Sequence, residues 1–334
     1  MIALALVVIS AGCAPTATPT NAPAVKAQTL TVYSGRSEGL VKPIIDQFSK
    51  STGIAVQVRY AGTSELAATI LEEGKNSPAD VFYAQDPGGI GAVAHLLTRL
   101  PDSITSQLEP GFRAADGKWV GISGRARVIA YNTQKVSEAD LPDDIFGLTD
   151  PKWKGRIGWA PTNASFQVMV TAMRKLWGEE KTRQWLRDMQ ANNPKIYSNN
   201  TGQVNAAGAG EIDVALPNHY YLYGIMQDKG ESFPVRNYHP RAGGPGALIM
   251  VSGAGILETS KNKEAAEKFI EFMLSPVAQQ YFAGQTFEYP VIKGVKTHRL
   301  LTPLADIKSP EISMEDLADL KGTLSLLRET GIVP

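Results

Sequence analysis

Apolar and polar positions in the first third of the chain follow two alternating patterns. Short apolar runs are typical of strands, and between them apolar residues recur at helical intervals. The strand-like runs cover residues 29–33, 55–60 and 79–83, and the helical segments cover residues 38–51 and 65–73. This β-α-β-α-β order predicts a parallel sheet with right-handed crossovers. The loops near Ser37, Gly62 and Gln85 should therefore open at one edge of that sheet.

A long extended segment, residues 119–132, predicts that the chain leaves this sheet for a second lobe. The second lobe repeats the strand-to-helix pattern, and the apolar residues 246–257 run back toward the first lobe. Because the chain crosses more than once, a hinged cleft is favoured over two independent domains. We therefore predict an α/β protein with one lobe made of residues 29–125 and 250–299 and the other of residues 126–249 and 300–334.

Two adjacent tyrosines, Tyr220 and Tyr221, follow the short apolar run 212–216. That run predicts a buried strand, and residues 224–230 predict a helix that ends at a glycine, which puts Asn218 at the N-cap. Ligands of open α/β sheets bind at the carboxyl ends of strands. Phenolate is a hard oxygen donor, and metal binding is coupled to loss of the ligand's proton. The pair is a candidate metal site, with packing aromatics as the alternative.

Charge and cysteine content exclude several classes of protein. The 334 residues include 33 basic and 33 acidic side chains, so the formal net charge is zero. A balanced charge does not favour nucleic acid or an anionic surface as the partner. The single cysteine, Cys13, leaves the rest of the chain without a disulfide or a cysteine metal site.

The N-terminus is typical of an exported bacterial protein. Residues 1–13 predict an export signal, since residues 2–9 are wholly apolar but too few to span a membrane. The end of this segment resembles a lipobox, in which Cys13 is lipidated and becomes the new N-terminus. Ser10 in place of leucine and the lack of a preceding basic residue depart from that pattern, and an ordinary cleaved signal is the alternative. Residues 14–28 are rich in Ala, Pro and Thr and predict a flexible tether.

Several stretches together resemble one family. They are TVYSG at 31–35, SPADVFY at 77–83, SGRARV at 123–128, PKWKGRIG at 151–158, GAL at 246–248 and EYP at 288–290. With Tyr220 and Tyr221 they make residues 30–333 similar to bacterial periplasmic ferric-iron-binding proteins, the solute receptors of iron ABC importers. The resemblance implies a two-lobed, type II-like periplasmic-binding-protein fold that closes on Fe³⁺ between its lobes. It implies a binding protein and not an enzyme.

The resemblance also implies a metal site in which Tyr220 and Tyr221 bind Fe³⁺ as tyrosinates. The ligands that the family usually takes from the first lobe are absent here. Ser37 stands where many members have a histidine, and Gln85 stands where some have a glutamate. Glu38, where some relatives carry a further tyrosine, is then the best substitute oxygen donor. These three positions are the candidate first-lobe partners of the tyrosines.

An anion is expected beside the metal, because two tyrosinates leave one positive charge on Fe³⁺. In the family that anion is often carbonate or phosphate, and helix N-termini offer ready anion sites. The candidates are Asn163 and Ser165 at one helix start, Asn200 at another, and Asn218 beside the tyrosines, with plain N-capping as the alternative. Arg36 and Arg125 could hold an anion by bidentate hydrogen bonds or could instead form a salt bridge between the lobes.

Two other interpretations remain open at this point. The same fold could bind a small organic or anionic solute, such as a phosphonate, a thiamine-like compound or a polyamine, since the histidine and glutamate positions are lost. A hydrolase is disfavoured, because the sequence has no nucleophile elbow and no metal-hydrolase motif. His219 precedes Tyr220 on a tight turn, so we predict that its ring points away from the metal.

The resemblance further implies the partners and the location of the protein. A solute receptor of this kind delivers Fe³⁺ to an ABC transporter permease and its ATPase at the outer face of the cytoplasmic membrane. With a lipidated Cys13, the protein would be periplasmic or extracytoplasmic and held at the membrane by that lipid. We predict a monomer.

Overall fold

The structure is a computed structural model that describes residues 28–334. The predicted export signal, the lipid anchor on Cys13 and all of the predicted tether except its last residue lie outside the described residues. Across residues 28–334, none of the helices combines the length and the apolar character that crossing a membrane requires.

Strands and helices alternate through most of the described chain. The strands are β1 (Thr29–Ser34), β2 (Ala55–Tyr60), β3 (Val81–Ala84), β4 (Val120–Ala126), β5 (Ile129–Asn132), β6 (Ile157–Trp159), β7 (Lys195–Ile196), β8 (Val214–Ala215), β9 (Val235–Tyr238) and β10 (Ile249–Ile256). The α-helices are α1 (Glu38–Thr52), α2 (Thr63–Glu73), α3 (Pro87–Ala92), α4 (Asp102–Thr105), α5 (Ala164–Trp177), α6 (Glu179–Ala191), α7 (Asn200–Gly208), α8 (Tyr220–Lys229), α9 (Lys263–Leu274), α10 (Pro276–Gly284) and α11 (Leu320–Glu329).

The first sheet has the strand order β2-β1-β3-β10-β4. β1 lies between β2 and β3 and is parallel to both, which confirms the parallel arrangement predicted for the first third of the chain. β10 is antiparallel to β3 and β4, so the apolar segment 246–257 does return to the first sheet as predicted. The loops that follow β1, β2 and β3 therefore lie at one edge of this sheet.

The second sheet has the strand order β7-β6-β8-β5-β9. The prediction of a single extended segment over 119–132 is wrong in one respect, because this segment forms β4 in the first sheet and β5 in the second. At the crossover the backbone N–H of Arg127 donates to the carbonyl of Leu248 at 2.9 Å, and that of Val128 donates to the carbonyl of Pro217 at 3.3 Å. β4 pairs with β10 in the first sheet, and β5 pairs with β8 and β9 in the second. Residues 119–132 therefore do not form one continuous strand.

Each sheet has an aromatic core of its own. In the first, Phe48 on α1 packs edge-on against Phe269 on α9, with ring centroids 5.3 Å apart. In the second, Trp159 on β6 packs edge-on against Phe166 on α5 at 5.5 Å. Large aromatic side chains contribute much of the free energy of a core when they are fully buried. Two separate cores agree with two lobes, while the lobe boundaries at residues 126, 250 and 300 stay a prediction.

Substitution of Phe48 tests the first core. Phe48→Ala should lower the free energy of unfolding by about 3–5 kcal/mol, since a fully buried phenyl ring is lost and a cavity is left behind. Leu71→Ala is the control: Leu71 is 47% exposed, so its loss should cost less than about 0.5 kcal/mol. Urea unfolding followed by tryptophan fluorescence measures both changes. Equal losses for the two variants would contradict the assigned packing.

Candidate functional site

The tyrosine pair lies at the start of α8, just beyond the end of β8. The rings of Tyr220 and Tyr221 are tilted by 30° with centroids 4.3 Å apart. Tyr220 is buried, whereas Tyr221 is partly exposed and faces a cavity between the two lobes. Burial raises the pKa of the Tyr221 hydroxyl, and the neighbouring Tyr220 raises it further, while Arg36 opposes the shift. The Tyr221 hydroxyl is therefore protonated and uncharged at neutral pH.

Arg36, from the loop after β1, meets Tyr220 from the other lobe. Its Nη1 donates to the Tyr220 hydroxyl at 3.1 Å, and its Nη2 forms an ion pair with Glu288. Arg125 on β4 donates to the same Glu288 oxygen at 3.1 Å and to Ser123 Oγ at 3.3 Å. Both guanidinium groups are buried, so the salt-bridge interpretation of Arg36 and Arg125 now has a defined partner in Glu288.

The charge of Glu288 is fixed by these two arginines. Burial alone would raise the pKa of the Glu288 carboxyl, but Arg36 and Arg125 outweigh burial and hold that pKa below its usual range. Sequence reasoning did not select Glu288 as a site residue. The only feature of the sequence that pointed to Glu288 was the EYP stretch at 288–290, which resembles the family but does not indicate what Glu288 does.

Four of the predicted anion-binding residues come together in the second lobe. Asn163 caps α5 by accepting from the Ser165 backbone N–H at 3.1 Å. Asn200, the first residue of α7, donates to Asn163 Oδ1 and to Ser165 Oγ, both at 3.2 Å. Asn218 accepts from Arg127 Nη1 at 3.2 Å. The same Arg127 nitrogen donates to Ser165 Oγ at 3.1 Å, which joins the four residues into one network.

Arg127 is a second residue that sequence reasoning missed. Its guanidinium is buried and donates to Ser165, Asn218 and the carbonyl of Leu216, but forms no ion pair within the described chain. Burial lowers the pKa of Arg127 to about 9, and the nearby Tyr221 and Tyr220 oppose that shift. A buried guanidinium without a carboxylate leaves uncompensated positive charge behind the tyrosines.

The prediction that Asn218 caps the tyrosine helix is wrong. α8 begins at Tyr220, the N-cap position belongs to His219, and no side chain caps the helix. Asn218 cannot cap α8 because its Oδ1 is taken by Arg127. Its Nδ2 is buried without a hydrogen-bond partner, which is costly and leaves a donor available in the network.

The three candidate first-lobe ligands are placed differently from one another. Ser37 is exposed at the N-cap position of α1, makes no capping bond and lines the same cavity as Tyr221. Gln85 is buried and its Nε2 donates across the cleft to Asn163 Oδ1 at 3.4 Å. Glu38 is exposed and borders a different depression beside Lys42. The structure thus brings Ser37 close to the tyrosines and turns Glu38 outward.

The His219 side chain joins two backbone segments and is not among the residues that line the cavity. Its Nδ1 accepts from the Ala126 backbone N–H at 3.1 Å, and its Nε2 donates to the Phe287 carbonyl at 2.8 Å. Both ring nitrogens are therefore occupied, which confirms that the ring points away. Among residues 28–334, no group of three or more His, Cys, Asp and Glu side chains is arranged to hold a metal ion. A metal at this cleft would depend on the tyrosine oxygens.

A cavity of about 530 Å³ opens beside the tyrosines. Leu40 of α1 and Thr286 after α10 line it on the first-lobe side, and Tyr220, Tyr221 and Ile225 of α8 line it on the other. Away from the cavity the lobes contact directly, since Ser64 Oγ donates to Gln167 Oε1 at 2.8 Å. The arrangement offers hard oxygen donors on one wall, the Arg36 guanidinium at the Tyr220 hydroxyl, and space for a bound molecule beside them.

Comparisons with known proteins give the family. Residues 43–311 match the family model described as bacterial extracellular solute-binding protein. The major ferric iron-binding protein of Neisseria meningitidis serogroup A is 37% identical over 312 residues, which cover 91% of this chain and 93% of the relative. The Fe(3+)-binding periplasmic protein of Serratia marcescens is 35% identical over 310 residues, covering 92% and 91%.

A solved structure is similar over the same length. The crystal structure of iron-bound HitA from Pseudomonas aeruginosa superposes with a TM-score of 0.87 at 38% identity, covering 91% of this chain and 99% of that one. This similarity confirms the predicted two-lobed periplasmic-binding-protein fold.

The acid stability of the protein should depend on His219. Burial lowers the pKa of His219 to about 3, whereas a histidine of the unfolded chain titrates near about 6.5. Between these values the unfolded chain binds a proton that the folded protein excludes, so the free energy of unfolding falls as the pH falls. From pH 7.5 to 5 this loss should be about 2 kcal/mol. Denaturant unfolding at several pH values measures it.

Two variants isolate the contribution of that histidine. His219→Gln should remove this part of the pH dependence, whatever it does to stability at pH 7.5. His95→Gln, at an exposed position, should keep the pH dependence of the wild type. An unchanged slope of unfolding free energy against pH in His219→Gln would show that the histidine is not held neutral by the fold.

Proposed function

Because the chain belongs to the bacterial extracellular solute-binding proteins, we propose that it is a receptor that binds Fe³⁺ between its lobes through Tyr220 and Tyr221. The family consists of solute-binding proteins, which confirms the prediction that the chain is not an enzyme. The observation that carries the proposal is the adjacent tyrosine pair, which begins a helix at the wall of the interlobe cavity. Relatives named for ferric iron, 35% and 37% identical over nearly the whole chain, support it.

The donor set suits a hard trivalent cation. Fe³⁺ prefers anionic oxygen, and binding releases the phenol protons as the metal takes their place. A tyrosinate oxygen can accept hydrogen bonds but cannot donate, and Arg36 already donates to the Tyr220 oxygen. The described residues show no cluster of carboxylate, histidine or thiol groups that would favour another metal. The pair can therefore serve as two tyrosinate ligands of Fe³⁺.

An anion is part of the proposed site. With two tyrosinates the ion keeps one positive charge, and buried Arg127 adds another that no described carboxylate compensates. The free Nδ2 of Asn218 and the N-terminal end of α5, where Ser165 lies, supply further donors toward an anion. Carbonate or phosphate would fit these donors and would complete the shell of the metal.

The physiological role follows from the family. An extracytoplasmic solute receptor hands its cargo to a membrane permease driven by an ATPase, and we expect the same of this chain. Anchoring through a lipidated Cys13 and a monomeric state belong to this proposal too. The two lobes would close over the ion for transport and separate at the permease.

A visible absorption titration tests the tyrosine site. Metal-free protein titrated with a soluble Fe³⁺ chelate should develop a tyrosinate-to-iron charge-transfer band that saturates at one equivalent. Tyr220→Phe and Tyr221→Phe should each lose most of the band and weaken Fe³⁺ binding by more than about 100-fold, since outer-shell changes alone cost about 10- to 100-fold. Tyr223→Phe is the matched control, because the Tyr223 hydroxyl on the same helix bonds to the Leu300 carbonyl.

Repeating the titration with and without bicarbonate or phosphate identifies the anion. Dependence of the band on one of them assigns the further ligand. A double Tyr220→Phe, Tyr221→Phe variant that binds Fe³⁺ as well as the wild type would overturn the proposal. Absence of any band, together with tight metal-free binding of a phosphonate, a thiamine-like compound or a polyamine by calorimetry, would establish the organic-solute function instead.

A further inference from the structure

We propose that the two lobes are fixed to each other along one side by an apolar joint, so that the cleft opens only on the side of the cavity beside Tyr221. The joint is formed by α3, by one face of α5 and by the segment just before α11. Its residues are Gly88, Gly91, Val168, Ala172, Leu317 and Ala318. This inference rests on the closing motion in the proposed function and adds where that motion takes place.

Helix α5 contributes side chains to the cores of both sheets. Phe166, Met169 and Met173 pack in the core of the second sheet. Val168 and Ala172 lie four residues apart, and therefore on one face of the helix, and are buried in the core of the first sheet. A helix whose different faces belong to two cores cannot leave either core without exposing apolar surface to water.

Two glycines let α3 come close to α5 and to the C-terminal segment. A Cβ at Gly88 would lie 2.9 Å from Val168 Cγ2, and a Cβ at Gly91 would overlap Ala318 Cβ. Contacts as close as these are those of a protein interior, in which side chains and backbone are tightly packed. The two lobes are therefore in direct apolar contact at α3.

The segment before α11 connects the joint to both cores. Leu317 is buried in the core of the first sheet, whereas Leu326 and Leu327 on α11 are buried in that of the second. Between them Asp319, at the N-cap position of α11, accepts from Arg174 Nη1 of α5 at 2.9 Å. Because one short segment is held in both cores, it keeps the two lobes together at α5.

The crossover between β4 and β5 is the second attachment between the lobes. Ala126 and Ala247 are buried there with Phe287 and Tyr289. Two bodies attached at two separate places can turn relative to each other only about the line through both attachments, as in a hinge. The cavity is lined from α1, α7, α8, α10 and the adjoining loops, and not from the joint. Rotation about this line would widen the cavity and leave the joint closed.

The contacts across the cleft are polar and can be exchanged for water. Arg36 donates to the Tyr220 hydroxyl at 3.1 Å, and Gln85 Nε2 donates to Asn163 Oδ1 at 3.4 Å. Breaking such hydrogen bonds costs little when water replaces the partner, whereas separating Val168 from α3 would expose apolar surface. This difference in chemistry favours opening at the cavity over opening at the joint.

Distances between pairs of spin labels test the joint. Cys13 is the only cysteine, so a Cys13→Ser chain carries labels only at introduced cysteines. Lys42→Cys on α1 and Lys229→Cys on α8 form the cavity pair. His95→Cys, just after α3, and Leu176→Cys, near the end of α5, form the joint pair, and all four positions are exposed.

Double electron–electron resonance measures both distances in the metal-free protein and in the protein saturated with Ga³⁺ and bicarbonate. Ga³⁺ is a hard trivalent cation like Fe³⁺, but it is diamagnetic and does not disturb the labels. The cavity pair should be broadly distributed without metal and shift by more than about 2 Å when the cation binds, as in hinge closure. The joint pair should be narrow and keep its mean distance within about 1 Å, because tightly packed backbones move this little.

A larger residue in the joint assigns this behaviour to the contact between α3 and α5. Gly88→Ala should broaden the distribution of the joint pair, because its Cβ would meet Val168 Cγ2. Adding Val168→Ala removes that methyl group and should restore the original width, which a second truncation would not do if Gly88→Ala only destabilised the fold. Gly284→Ala, at the last residue of α10, is the control, since a Cβ there meets no neighbouring atom within 4 Å.

The outcomes distinguish the joint from the iron function. A joint pair that shifts as far as the cavity pair would overturn the joint, and so would a joint pair that is as narrow in Gly88→Ala as in Gly284→Ala. A cavity pair that is narrow and identical in both states would also overturn it, because the cleft would then not open on that side. Absence of Fe³⁺ binding in the absorption titration would overturn the proposed function instead, while the widths of the two pairs in the metal-free protein would still test the joint.

Discussion

The buried carboxylate of Glu288 is the group on which the rest of the binding cleft depends. It accepts from Arg36 and Arg125, and Arg36 in turn donates to the Tyr220 hydroxyl at 3.1 Å. A buried charge is tolerated only when it is paired, and removal of one partner leaves the others uncompensated. The pairing therefore ties together the loop after β1, the strand β4 and the segment after α10. It also brings a first-lobe cation against the second-lobe helix that carries the tyrosines.

The tyrosine helix is held from behind by neutral hydrogen bonds. His219 joins the backbone of Ala126 to that of Phe287. The start of the tyrosine helix is therefore fixed both to the crossover between β4 and β5 and to the segment after α10. The ring of Tyr289 packs against His219 at 4.7 Å, and its backbone pairs with Gly124. Because the back of the turn is occupied in this way, the two phenol oxygens are left to the side that faces Arg36 and the cavity.

Local patterns in the sequence predict much of the fold but only half of the cleft. The first sheet follows from alternating apolar runs, since the burial of each strand is a local property, and the chemistry of Tyr220 and Tyr221 selects a helix that lines the cavity. Glu288 was missed because its partners Arg36 and Arg125 are 252 and 163 residues away along the chain. The capping prediction for Asn218 failed for the same reason, since a distant arginine takes its side-chain oxygen. Long-range polar pairing leaves no periodic signal in the sequence.

The two lobes contribute different kinds of groups to the cleft. The second lobe contributes the phenol oxygens and the network of Asn163, Ser165 and Asn200, whereas the first lobe contributes Arg36 and a wall of neutral groups. Because the residues of this first-lobe wall are neutral, a cargo that held the lobes together would have to contact both walls, directly or through a molecule bound with it. Under the proposed function, closure would depend on tighter binding of the cargo to the closed state, and a bound anion would contribute to that selectivity. Ser37 and Gln85 are neutral, so in the proposed Fe³⁺ site part of the coordination would come from a bound anion and not from first-lobe side chains.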